Sequence, residues 1–165
     1  MEVSQLIQIL EDQVKVYRHL LEVVRKEKDI LVSANLDDLN ENNRSKESML
    51  LKIRSLEADR IKTTTALCLE IGYTQEEPRL LEIARHLGGE AAERLRTIHS
   101  VLELLLRRVQ EYNLQNESLV QSALANITGA MNEIRGTLQE KATYQRKGEV
   151  AATPAASGQL VSREA

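Results

Sequence analysis

The sequence predicts an all-α protein: an elongated antiparallel helical hairpin or bundle, coiled-coil-like, with a long last helix and a disordered C-terminal tail. Three observations predict it. No Phe or Trp and only four Tyr occur in 165 residues, so core volume must come from Leu, Ile, Val and Ala. Only seven Gly and two Pro punctuate the chain, which leaves long uninterrupted elements. Apolar residues also recur in alternating steps of three and four, the mark of a helix with a narrow seam. Residues 1–145 read as one helical bundle, with helices over about 2–33, 36–71, 75–88 and 90–143, and residues 146–165 as the tail.

The first helix carries the clearest heptad. Val3, Ile7, Leu10, Val14, Tyr17, Leu21, Val24, Lys28 and Leu31 alternate steps of four and three, and all but Lys28 are apolar. Ser33-Ala34-Asn35 breaks the pattern. Asn35 is a good N-cap for a second helix, and Asp37 and Asp38 suit its first turn by charge–dipole attraction. That helix opens on a polar half, NENNRSKES, and continues with Met49, Leu50, Ile53, Leu56, Ile61, Leu67 and Ile71. Gly72 stands where a C′ glycine would end it. Thr74 to Glu77 fits a capping box, with Pro78 still in the first turn of a short helix ending at Gly88-Gly89. The double glycine is either a break or a kink.

The last helix is the longest. Leu95, Ile98, Leu102, Leu105, Val109, Tyr112, Asn116, Leu119 and Ala123 step by three and four, and the stripe is expected to continue through Ile127, Met131, Ile134 and Leu138. Gly129 and Gly136 each cost about 1 kcal/mol relative to Ala inside a helix, so the last turns should fray or bend. After Tyr144 Ala, Ser, Gly, Thr and Pro dominate without a period, a composition that does not fold.

Length then points to a binding face. At about 1.5 Å per residue the first two helices are roughly 46 and 54 Å long, and the last is roughly 80 Å. Packed beside the hairpin and parallel to its first helix, the last would overshoot by about 25 Å. The overshooting part, from about Ala123, carries Leu124, Ile127, Met131, Ile134 and Leu138. Left in water, each would forgo roughly 1.5–3 kcal/mol. A partner helix is the natural cover; self-association or folding back at Gly129 or Gly136 are the alternatives.

Several function classes are disfavoured. Basic and acidic residues number 22 and 25, interspersed, for a net charge of −3, so no basic stripe invites nucleic acid. Apolar runs are short, as in Leu104-Leu105-Leu106, far from the ~20 residues of a membrane span. The opening MEVSQLIQILEDQ has no basic n-region of a signal peptide. With Cys68 alone there is no internal disulfide, and the expectation is a soluble cytoplasmic protein. His19, His86 and His99 are scattered, without ligand spacing, so no metal is expected. Phosphate-cradling glycine loops are absent, and nothing frames a nucleophile; no cofactor is implied, and the chain does not read as an enzyme. Cys68, between Leu67 and Leu69, reads as a small buried thiol. Histidine phosphotransfer bundles carry a Lys and small residues after their histidine, which YRHLLEVV around His19 lacks; His19 reads as a surface residue. Asn116 sits at an apolar position of the last seam. It is either a buried register-setter or a hydrogen-bond donor to a bound helix.

The chain resembles the FlgN-like flagellar export chaperones over nearly its whole length. The likeness rests on the amphipathic first helix, LVSANLDDL at the turn, and KESMLLKIRSLEADR in the second helix. It continues through LLEIARHL and the long last helix with RVQEYNLQNESLV, then Tyr144-Gln145-Arg146-Lys147-Gly148, similar to the family's Tyr-x-x-x-Gly. The resemblance implies a cytoplasmic chaperone of type III flagellar export. Such a protein binds the C-terminal helices of hook–filament junction proteins, prevents premature polymerisation and delivers them to the export gate. Carried over, the client-binding positions are Asn116, Leu119, Val120, Ala123, Leu124, Ile127, Met131, Ile134 and Leu138, and Tyr144 is the residue for docking at the gate platform. No function is carried onto the tail beyond Gly148, where the likeness is loose. The alternative is a structural or adaptor coiled-coil protein that self-associates, as a homodimer, through its last helix.

Overall fold

A computed structural model describes residues 2–73 and 79–143, with side chains to residue 138. Four helices follow one another: α1 (Glu2–Ser33), α2 (Leu36–Glu70), α3 (Leu80–Leu87) and α4 (Gly89–Thr143). There is no strand among the described residues. The chain divides after Val120 into a unit of residues Met1–Val120 and a second of residues Gln121–Ala165. Tyr144 and everything after it lie outside the described residues.

Local chemistry sets each helix end. Between α1 and α2 the chain reverses at Ala34, whose φ of 53° lies in the left-handed region. Asn35 caps α2: its side-chain oxygen accepts from the backbone N–H groups of Asp37 and Asp38 at 3.1 and 3.3 Å. The end of α2 forms a Schellman pair. Gly72, at φ +70°, donates to Leu69 O at 3.4 Å, and Tyr73 donates to Cys68 O at 2.9 Å. Gly72 thus stands where the C′ position requires it, because a side chain there would be strained.

The short third helix is shorter than expected. Arg79 is extended (φ −82°, ψ 138°) and is the N-cap of α3, with no side-chain cap bond. A helix running unbroken from residue 75 is therefore excluded; the expected capping box Thr74–Glu77 and Pro78 lie outside the described residues. The double glycine proves to be a true break. Gly88 and Gly89 have φ of +64° and +63°, and α3 stops at Leu87.

Within residues 1–120, α1 is the central element. Its hydrogen bonds to α2 run in opposite senses along the two chains: Gln13 to Glu57, and Asn42 to the carbonyl of Val23. Those helices are antiparallel. Contacts to α4 rise together along both chains: Glu11 with Arg94, Arg25 over the Tyr112 ring, Lys28 with Gln115. The first part of α4 is therefore parallel to α1. Serving two neighbours, α1 buries more than one seam: Leu6, Val16, Leu20 and Ile30 are buried in addition to Ile7, Leu10, Val14, Leu21 and Val24. Apart from Val16 and Ile30, the core joins these α1 residues to Leu67 and Cys68 of α2, Ile83 and Ala84 of α3, and Ala92, Leu95, Ile98, Leu105 and Val109 of α4. Cys68 is buried, which pushes its thiol pKa up.

Candidate functional site

The apolar residues of α4 fall into two heptad registers rather than one. Leu95, Ile98, Leu102, Leu105, Val109, Tyr112, Asn116 and Leu119 form the first, and all are buried or half-buried. Prolonged, that register would pass through Ala123, Asn126, Ala130, Glu133 and Thr137, none a large apolar residue. A second register begins one residue out of step, at Val120, and runs through Leu124, Ile127, Met131, Ile134 and Leu138 in steps of four and three. The stripe that the sequence suggests is continuous is thus two seams, and they differ in burial.

Every large residue of the second seam is exposed. Val120 is 41% accessible, and Leu124, Ile127, Met131, Ile134 and Leu138 lie between 54% and 63%. Ala123 is exposed as well, and Leu119 is half-buried. A row of aliphatic side chains at heptad spacing, all facing water, is an unpartnered helix face. Isolated exposed leucines elsewhere, such as Leu51 or Leu69 on α2, need no such reading.

Asn116 stands apart from the other expected contact residues. It is only 4% exposed. Its Nδ2 donates to the carbonyl of Val24 at 2.9 Å and to Glu27 Oε2 at 3.0 Å. The same carboxylate oxygen accepts from Lys46 Nζ at 2.7 Å. Glu27 therefore ties α1 to α2 and α4 at once, and the neighbouring Asn42, also 4% exposed, donates to Val23 O at 3.3 Å. This places the amide of Asn116 against α1, the arrangement of a buried register-setter. Nothing in the sequence marks Glu27 for this role: it is one acid among many on a helix whose seam skips it.

A second polar contact crosses the hairpin lower down. Gln13, 4% exposed, donates to Glu57 Oε2 at 3.0 Å, and Arg60 holds the same carboxylate through two bonds of 2.8 and 2.6 Å. The Arg60 guanidinium is the main cause holding the Glu57 carboxyl below its usual range, with Gln13 adding to it. Beside this pair lies an open cavity of about 450 Å³, lined by Leu10, Tyr17, Leu80, His99 and Leu102 among others. Its one carboxylate on α2, Glu57, is engaged by Arg60 and Gln13. Among the described residues no group of three or more His, Cys, Asp or Glu side chains is placed to hold a metal. No helix is long and apolar enough to cross a membrane, among the described residues. His19 is exposed on α1.

The family model described as FlgN protein matches residues 1–152 of this chain, which takes in all four helices and the exposed seam. The chain belongs to the FlgN family. It is accordingly a chaperone of flagellar type III export, from a family of binding proteins for flagellar substrates. Comparison with curated proteins and with solved structures finds no match. Within the matched span lies the exposed apolar row of Val120, Leu124, Ile127, Met131, Ile134 and Leu138.

Proposed function

We propose that this FlgN-family chaperone binds the C-terminal helices of hook–filament junction proteins along the second seam of α4. The contact residues are Leu119, Val120, Ala123, Leu124, Ile127, Met131, Ile134 and Leu138. The observation that carries the reading is the exposure of a complete heptad seam on a helix whose earlier seam is buried. A junction-protein helix polymerises through an amphipathic face. Covering that face by helix-on-helix burial keeps the subunit single, and release follows when the export gate competes for it. The five large apolar side chains from Leu124 to Leu138, at roughly 1.5–3 kcal/mol each, supply most of the gross term, against which ordering and association count. A chaperone that must let go then sits in the range of about −12 to −8 kcal/mol, nanomolar to micromolar. Delivery to the gate platform is assigned to Tyr144, just beyond α4, where a large amphipathic ring gives contact area at low entropic cost. The work is done in the cytoplasm and needs no catalysis.

The test is calorimetric titration with a synthetic peptide of a junction protein's C-terminal helix from the same cell. Wild type is run beside a chain ending at Thr128. Tight binding that the shorter chain loses supports the reading. Equal binding by both chains moves the site off the seam, and a wild type that dimerises and ignores the peptide replaces the reading with self-association.

A further inference from the structure

The borders of the exposed seam are unusual. With Leu124, Met131 and Leu138 at one set of seam positions and Val120, Ile127 and Ile134 at the other, six residues flank the stripe. They are Ala123, Ala130 and Thr137 on one side and Gln121, Thr128 and Arg135 on the other. In a two-helix seam these flanking positions ordinarily carry acids and bases that pair across the interface and choose the partner. Here Arg135 is the one charge among the six.

Side-chain geometry makes the borders less polar still. Thr128 donates its hydroxyl to Leu124 O at 2.9 Å, and Thr137 donates to Ile134 O at 2.9 Å. Both hydroxyls are therefore engaged by the helix's own backbone, which leaves the methyl groups to meet a partner. Contrast the first seam of the same helix. There Arg94 of α4 pairs with Glu11 of α1 at 2.6 Å, and Lys28 donates to Gln115 at 3.1 Å. Polar cross-links edge the seam that packs within the chain, whereas five of the six residues that border the exposed seam carry no charge.

We propose that the exposed seam takes one amphipathic helix of a flagellar export substrate by size and shape, with no ion pair across the interface. Large aliphatic side chains of the partner lie over Ala123, Ala130 and Thr137, where small residues let a second helix approach closely. The proposal rests on the chaperone reading above and adds the means of recognition. Two consequences follow from the physics. Affinity is nearly independent of ionic strength, because screening acts only on charges. It is also sensitive to bulk at the small flanking positions and insensitive to charge reversal at Arg135.

The experiment uses the full chain and the same synthetic junction-protein peptide, with Kd read from fluorescence anisotropy. From about 0.05 to 0.5 M NaCl the Kd should change by less than about two-fold. Ala130→Leu, which adds bulk on an exposed helix face and keeps helicity by circular dichroism, should weaken binding by about tenfold or more. Arg135→Glu should stay within about two-fold of wild type. A Kd that climbs tenfold or so with salt overturns the proposal, as does an Ala130→Leu chain that binds like wild type. A wild type that never binds the peptide strikes instead at the chaperone reading underneath, and a wild type that only self-associates does the same.

Discussion

Thr64 has a hydroxyl that is buried without a hydrogen-bond partner among the described residues, and Asn116 Oδ1 shares that condition. An unmade bond of this kind costs about 1–3 kcal/mol. Thr64→Val keeps the branched shape and removes the oxygen, so it should raise the stability by about 1 kcal/mol, read as a higher urea midpoint at unchanged slope. Glu57 makes a pH-dependent contribution. Its carboxyl titrates below the free value in the folded chain because Arg60 and Gln13 bond the charged form. The contribution is therefore complete above the unfolded value of about 4.3 and fades as pH falls below it through the folded value. Glu57→Gln should cost less than about 1 kcal/mol at neutral pH, since the pair is partly exposed. It should also flatten the acid side of a plot of urea midpoint against pH. An acid limb identical to wild type would show that other carboxylates govern it.

At the scale of the element, α4 carries two registers that differ in burial. Asn116 belongs to the first. Asn116→Ala removes the donor to Val24 O and Glu27 and should lower stability by about 1–2 kcal/mol, while leaving the affinity for a substrate helix within about two-fold. A loss of affinity with stability intact would reverse that assignment. The second register stands on a weak stretch of helix. Gly129 and Gly136 have ordinary helical φ, and a Cβ added to either meets nothing within 4 Å. Replacing both by Ala should therefore stabilise the segment by about 1 kcal/mol per site, seen as slower amide exchange over residues 121–138. If exchange there does not slow, tertiary contacts hold the segment and not helix propensity. How much of α1 was legible follows from the same idea. The heptad through Ile7, Leu10, Val14, Leu21 and Val24 was read directly, because a single seam leaves a period. Leu6, Val16, Leu20 and Ile30 were not, because burying a second face against a second neighbour blurs that period.

For the molecule as a whole, the buried core and the exposed seam occupy different parts of the chain. The buried cluster takes its last member at Val109, and the exposed seam begins at Val120. A chain ending at Thr128 should thus unfold at the same urea midpoint as the full chain, while losing its substrate; a lowered midpoint would mean that the seam is part of the fold's stability. Class, helix order and the caps at Asn35 and Gly72 were set by local chemistry: propensity, turn residues and period act within a few residues of one another. The aliphatic residues from Leu124 to Leu138 were visible for the same reason. Only the tertiary structure decided three things. It set the break at Gly88-Gly89, which a glycine pair permits without requiring. It turned Asn116 inward onto Glu27, a carboxylate 89 positions away in sequence that no periodicity could have singled out. And it divided one apparent stripe into a covered seam and an open one, because burial depends on which neighbour lies alongside, and a neighbour is not a local property of the chain.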